Sequence, residues 1–433
     1  MPILPRSSPM HPGPVKKMSN FRFHCTECGS WYEEDEVRLV CPACARHQQP
    51  GGVTRGVLEV VLEKLPSSWP SAPAASAEFL SAFLPIPSVA FLPPLPVGGT
   101  PLLEVPHLRR TLGLRRLWVK DDTRNPSGST KDRASFLVVA KAREYDCETV
   151  AAASTGNAAT ALAAVAAASQ IKAVVFVPAS TPEAKLIQML SYGAVVLPVE
   201  GTYDEAFELC LAACQEFGWY NRNTALNPFT IEGKKTVALE IAADLAPECP
   251  DAVLVPAGDG VILSGVAKGF ADLQRCGLIP RVPRLIAVQP EGSAAIVNAL
   301  RKGADTISPV PHATSVADSL VVQAPRNALQ CLRVIRASHG GGVTVSDDSI
   351  IKAIAELARL TGVFAEPAGA AALAGLRAAL DEGLVDADER VVLLVTGTGL
   401  KDVPAASRAV QRPAPIPASV EAVAKRLRHL SEG

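Results

Sequence analysis

One lysine, Lys131, closes a run of small, turn-forming residues in "NPSGSTKDRAS", residues 125–135. An apolar stretch follows at once, so Lys131 sits where a helix begins. That is the unfavourable end of the macrodipole for a cation. A solvated surface lysine is the ordinary reading. The alternative is a lysine that gives up its proton easily and forms a Schiff base with a carbonyl compound. Four cysteines offer a second chemistry. In "FHCTECGSWYEEDEVRLVCPACARH", Cys25 and Cys28 form one Cys-x-x-Cys pair, and Cys41 and Cys44 form another. Two such knuckles complete a tetrahedral thiolate shell suited to structural zinc, with a redox pair or a ribbon that has lost its metal as the alternatives. Gly29 and Pro42 stand where these turns need them.

The elements that must position Lys131 follow a regular pattern. From about residue 112, apolar strands alternate with helices: "LRRLWVKDD", then "DRASFLVVAKAREY", "TVAAAS", "GNAATALAAVAAAS", "IKAVVFVP" and so on to "RVVLLVTG". Uninterrupted apolar runs between helices predict parallel sheets covered on both faces, an α/β doubly wound fold. Ligands bind such sheets beyond the carboxyl ends of the strands. Four glycine-bearing turns fall there: "NPSGSTKD", "ASTGNAA", "VPAGDGVILSG" and "VTGTGLKD".

The predicted organisation is a disordered tail over 1–20, a cysteine module over 21–60 and a Pro/Ala-rich linker and arm over 61–106. An α/β catalytic domain over 107–405 has two subdomains, the smaller about 150–225, and a tail covers 406–433. The 433 residues are 48% hydrophobic with a formal net charge of −1, which gives no electrostatic case for nucleic acid or an anionic membrane. No signal-peptide core and no run of transmembrane length is seen, so a cytoplasmic protein is expected. The six cysteines outside the module read as buried small hydrophobes.

Taken in order, "NPSGSTKDRAS", "STGNAA", "PAGDG", "EPAGAA" and "TGTGLKD" resemble the fold type II family of pyridoxal-phosphate (PLP) enzymes, and within it the threonine synthase-like members. These often carry an N-terminal cysteine ribbon. The resemblance covers about residues 21–402. It implies that Lys131 carries the cofactor as a Schiff base and later moves protons on the substrate. It implies that Asn157 bonds the cofactor's ring oxygen and that Ser154, Thr155, Gly156 and Ala158 form the substrate-carboxylate turn. The turn Gly258, Asp259, Gly260, Val261 and Ile262 would cradle the cofactor phosphate at a helix N-terminus. Thr396 would face the pyridine nitrogen. The implied activity is a PLP-dependent carbon–oxygen lyase of amino-acid metabolism, eliminating or replacing a group on the side chain of a small amino acid through an external aldimine. A homodimer is expected.

The resemblance is broken at three places. The family's arginine after Asn-Pro-x is Thr230 in "NPFTIEGKKT". A family hydroxyl is Ala158, and a glycine-loop amide is Asp259. All three changes weaken recognition of a substrate phosphate. One charge-assisted bidentate contact contributes about 2–3 kcal/mol, or roughly 30–100-fold in affinity. The expected substrate is therefore an unphosphorylated amino acid, unless Arg222, Lys234 or Lys235 replaces the missing cation. True threonine synthase acting on O-phosphohomoserine and a threonine/serine-type ammonia-lyase are the alternatives. From another class comes a zinc-ribbon binding or regulatory protein with an inert α/β body.

Overall fold

The computed structural model describes residues 19–431 apart from 50, 155, 180 and 182. The expectation of disorder over residues 1–20 therefore falls almost wholly outside the described residues.

Three sheets carry the chain. Strands β1 (Phe21–Cys25), β2 (Trp31–Tyr32) and β3 (Leu58–Leu62) form an antiparallel sheet in the order β2-β1-β3. Phe21, Phe23 and Cys25 are buried while Arg22 and His24 are less so, the two-residue period of a half-buried strand. Strands β4 (Leu102–Glu104), β5 (Arg116–Asp121), β10 (Ala252–Pro256), β11 (Arg284–Pro290), β12 (Gly341–Val345) and β13 (Arg390–Val395) form a six-stranded sheet. Its order is β12-β11-β10-β13-β5-β4, parallel except for β4. A smaller parallel sheet, β8-β7-β6-β9, takes β6 (Thr149–Ala153), β7 (Lys172–Pro178), β8 (Val195–Val199) and β9 (Tyr220–Asn221). The class is α/β with doubly wound parallel sheets, as the strand–helix alternation predicts.

Three strands of the two larger sheets were not evident in the sequence, the two-residue Tyr220–Asn221 among them. Leu102–Glu104 lies in the proline-rich arm, yet pairs antiparallel with β5. Phe79, Phe83, Leu84 and Ile86 of that arm are buried in the main core. The stretch "GGVTV" forms β12, although glycine disfavours strands. The packing supplies the reason: a Cβ on Gly342 would lie 2.8 Å from Val297 Cγ2.

Glycines also bring three helices into close contact: Lys131–Glu144, Phe229–Lys234 and Val261–Arg275. A Cβ on Gly233 would fall 2.3 Å from Arg133 O, and one on Gly265 would fall 2.6 Å from Lys234 Cβ. Larger side chains there would force the backbones apart. Among the described residues no helix is long and apolar enough to cross a membrane.

Candidate active site

Strands β10, β13 and β5 are adjacent, so the turns that follow them meet at one edge of the sheet. The turns are stitched together by their backbones. Thr130 N donates to Thr396 O at 2.9 Å, Thr398 N to Gly128 O at 3.0 Å, and Glu366 N to Gly397 O at 2.9 Å. Gly128 has φ +83°, and a Cβ there would sit 2.8 Å from Thr398 Cγ2.

The two residues after Lys131 explain how it is held. The Asp132 carboxylate accepts from Ser127 N at 2.7 Å and from Ser127 Oγ at 2.5 Å, closing the turn onto the helix start. Arg133 is fully buried. It binds Asp122 (2.7 and 2.8 Å) and Glu240 (2.5 and 2.9 Å), and Lys120 completes the cluster on Glu240 at 2.9 Å. The helix is thus pinned to the large sheet next to Lys131. The Lys131 amine has no hydrogen bond or ion pair among the described residues. Burial lowers its pKa to about 8; the nearby Arg222 cation works in the same direction, against Asp259 and Glu366. The small residues before Lys131 and the anchors after it produce an amine that is easily neutral.

A cleft of about 510 Å³ opens beside this edge, with Asn125–Gly128, Gly156, Asn157, Glu366 and Lys401 in its walls. Of the residues nominated from sequence, Gly156 and Asn157 line it. Asn157 begins the helix Asn157–Ala168 and donates Nδ2 to Glu366 Oε1 at 2.8 Å. Ser154 lies at the end of β6, its hydroxyl accepting from Gly156 N at 3.3 Å. Ala158 occupies the first helical turn and offers no polar side-chain atom. Thr155 lies outside the described residues. Thr396 is buried at the end of β13. Glu366 and Gln188 were not nominated from sequence. Glu366 was visible only as a letter in "EPAGAA", and its role depends on a contact with Asn157 made across the fold.

The turn Gly258–Ile262 opens the helix Val261–Arg275. Gly260 has φ +86°, and a Cβ there would lie 2.8 Å from Cys331 Cβ. Backbone amides of Gly258 to Ile262 have no hydrogen-bond partner among the described residues. Free amides and the helix dipole fit a phosphate. Asp259 does not close the turn: its carboxylate accepts from Arg326 N at 3.1 Å and holds the neighbouring loop. An unpaired, easily deprotonated lysine and a phosphate cradle together fit a phosphorylated aldehyde cofactor.

The three cations that could replace the missing arginine differ. Lys235 is paired with Glu232 and, at 2.8 Å, with Asp272. Arg222 and Lys234 are each 1% exposed, and neither Arg222 Nη2 nor Lys234 Nζ has a hydrogen-bond partner. Thr230 is buried, its hydroxyl donating to Asn227 O at 2.7 Å.

In the small module, the sulfurs of Cys25, Cys28, Cys41 and Cys44 all lie within 4.8 Å of one another. Cys25 and Cys44 are 3.8 Å apart, and Cys28 and Cys41 are 3.7 Å apart. Zn–S bonds of about 2.3 Å in a tetrahedron put sulfurs about 3.8 Å apart, so the shell fits zinc. Gly29 has φ +76° after the first knuckle, and Pro42 opens a short helix in the second.

With this geometry in view, the comparisons with known proteins are consistent. The family model described as "Pyridoxal-phosphate dependent enzyme" matches residues 94–397, and the chain belongs to that family. Threonine synthase of Methanocaldococcus jannaschii is 35% identical over 413 residues, covering 94% of this chain and 99% of that one. Threonine synthase of Mycobacterium tuberculosis is 33% identical over 331 residues, 76% of this chain and 89% of that one. The chain is accordingly a PLP-dependent lyase of the threonine synthase type. The fold is shared with the solved threonine deaminase of Solanum lycopersicum (TM-score 0.62, 24% identity, 72% of this chain and 88% of that one). It is shared also with maize serine racemase (TM-score 0.63, 22% identity, 84% and 99%).

Proposed function

We propose that this lyase converts O-phosphohomoserine and water to threonine and phosphate, with Lys131 as its proton carrier. When bound, pyridoxal phosphate supplies an electron sink for charge that develops at the substrate's carbons. The chain's own residues do the rest. Lys131, neutral in an appreciable fraction near pH 7 because burial lowers its pKa to about 8, takes the α-proton and returns protons along the side chain. The turn of Ser154, Gly156 and Ala158 that leads into the helix Asn157–Ala168 would receive the substrate carboxylate on backbone amides, with Thr155 the remaining member of that sequence motif. Asn157, oriented by Glu366, would hold the ring oxygen of the cofactor. The Gly258–Ile262 amides would hold its phosphate. Thr396 would meet the ring nitrogen with a neutral hydroxyl. Removal of phosphate from the terminal side-chain carbon and addition of water at the neighbouring carbon balance the reaction.

The observation that carries the cofactor chemistry is the unpaired Lys131 amine, which feels the charge of the Glu366 that fixes the Asn157 amide; the likeness to threonine synthases supports the phosphorylated substrate. The cysteine shell holds zinc as a structural ion in the 21–60 module, and the smaller subdomain covers about 150–225. A cytoplasmic homodimer belongs to the same reading. A second reading is favoured by Thr230, Ala158 and Asp259, which leave the family's own phosphate contacts absent: elimination from an unphosphorylated hydroxy amino acid. Comparing kcat/KM for O-phosphohomoserine with that for threonine and serine separates the two. A preference for the free amino acids overturns the first.

A further inference from the structure

We propose that Arg222 and Lys234 form a subsite for the dianionic phosphate of the substrate, in place of the guanidinium that the resembled family carries at the position of Thr230. The inference rests on the threonine synthase reading for the identity of that phosphate.

Apart from Lys131, the molecule pairs its other buried cations with carboxylates. Lys120 and Arg133 meet Glu240, Lys141 meets Glu34, Lys235 and Lys268 meet Asp272, and Arg326 meets Asp204. Arg222 and Lys234 are as deeply buried and have no acidic partner among the described residues. An unpaired buried cation is costly unless an anion arrives to meet it. Burial lowers the pKa of both groups. For Lys234 the neighbouring Lys131 and Arg222 cations lower it further, while Asp259 opposes them.

Their placement is near the reacting lysine, whose charge Lys234 feels, although neither lines the cleft described above. Arg222 Nε donates to Ser135 Oγ at 3.2 Å, and Ser135 is one helical turn beyond Lys131 on the same face. Lys234 is one turn beyond Thr230 on the helix Phe229–Lys234, so the charge absent at 230 reappears four residues on, on the same face. Gly265 admits the Lys234 stem between two helices. The cofactor's phosphate has its own cradle in the Gly258–Ile262 amides, which leaves these two cations for a second phosphate. With Lys234 taking up a proton as the anion arrives, the two groups match the charge of a dianion, and hydrogen bonds to charged groups are the strong kind.

The test uses holoenzyme, with inorganic phosphate as a competitive inhibitor and O-phosphohomoserine as substrate. Lys234→Gln and Arg222→Gln are each expected to raise the inhibition constant of phosphate and the KM for O-phosphohomoserine by about ten- to a hundredfold. Cofactor affinity, read by absorbance titration, is expected to stay unchanged. Adding Thr230→Arg to Lys234→Gln should restore phosphate inhibition. Should Arg222→Gln fail to fold, the Lys234→Gln and Thr230→Arg pair carries the test alone. Weakened cofactor affinity with unaltered phosphate inhibition overturns the proposal, as does no change in either. If the wild-type enzyme ignores O-phosphohomoserine but binds inorganic phosphate in a Lys234-dependent way, the subsite stands and the threonine synthase reading falls.

Discussion

Asn157 donates its side-chain amide to Glu366 at 2.8 Å, a bond between residues 209 apart in sequence. Asn157 belongs to the smaller sheet unit, and Glu366 opens the helix Pro367–Asp381, which packs on the larger sheet. The bond sets which way the Asn157 amide points and ties the two units together beside Lys131. Glu366 is buried, and burial raises its pKa.

Glu366→Ala leaves that buried amide without its acceptor, at about 1–3 kcal/mol. Cofactor affinity should fall by roughly tenfold or more, measured by absorbance titration of apoenzyme. Glu366→Gln keeps an acceptor oxygen and should retain most of it. Equal losses in the two variants would mean that charge, and not orientation, is what Glu366 supplies.

Lys131→Ala should abolish turnover, with a loss on the order of 10³-fold or greater, while circular dichroism and thermal unfolding stay close to wild type. Reduction with borohydride should no longer fix the cofactor to the protein. A variant that keeps covalent cofactor and near-normal rates would assign the role to another lysine.

The pH dependence follows from the same amine. Its pKa falls from 10.5 to about 8, so the neutral, reactive form is gained as pH rises through about 8. Cofactor capture by apoenzyme should rise with an apparent pKa near 8. A midpoint near 10.5 would show that burial leaves Lys131 unaltered.

Breaking the Arg133 cluster should be costly to stability and not to chemistry alone. Arg133→Ala leaves Asp122 and part of Glu240 buried without a counter-charge, a loss of about 3–5 kcal/mol. Denaturant unfolding measures it. Wild-type stability in this variant would mean the carboxylates take up protons at little cost.

Gly56 has φ +69°, and a Cβ there would lie 2.8 Å from Cys41 Cβ and 2.9 Å from Cys44 Cβ. Gly56→Ala should therefore disturb the thiol shell and cost about 1–3 kcal/mol in backbone strain alone. Elemental analysis should show reduced zinc, with a lower Tm. Full zinc content and unchanged Tm would contradict the close packing at this turn.

Much of this was legible in the sequence because each feature has a local cause. Strand–helix alternation comes from burial on both sheet faces. The Lys131 turn and the Gly258–Ile262 turn announce themselves by small residues at strand ends, and the cysteine shell by its spacing. What escaped depends on distant partners. Glu366 matters through Asn157, and nothing near it in sequence says so. Leu102–Glu104 becomes a strand only because β5 offers a free edge. Thr230 read as a lost cation, since the helix that brings Lys234 onto the same face has to be seen to be used. Lys235, next to it, looked equally available until Asp272 and Glu232 claimed it.

The cysteine module touches more than its own sulfurs. Phe21 and Phe23 pack their rings against Phe229 at 5.7 and 5.8 Å. Val57 forms a small apolar cluster with Ala225, Ile231 and Val261, and Thr54 N donates to Arg326 O at 2.7 Å. Ile231 lies on the helix of Lys234, Val261 begins the helix behind the glycine turn, and the neighbours of Arg326 include Asp259. The cysteine module thus works as a wedge beneath the Lys234 helix and the glycine turn. A shortened chain starting beyond Leu62 would bare Phe229 and Ile231 to water and loosen that packing. The shortened protein should aggregate before it can be assayed, so the module cannot be trimmed as a dispensable appendage.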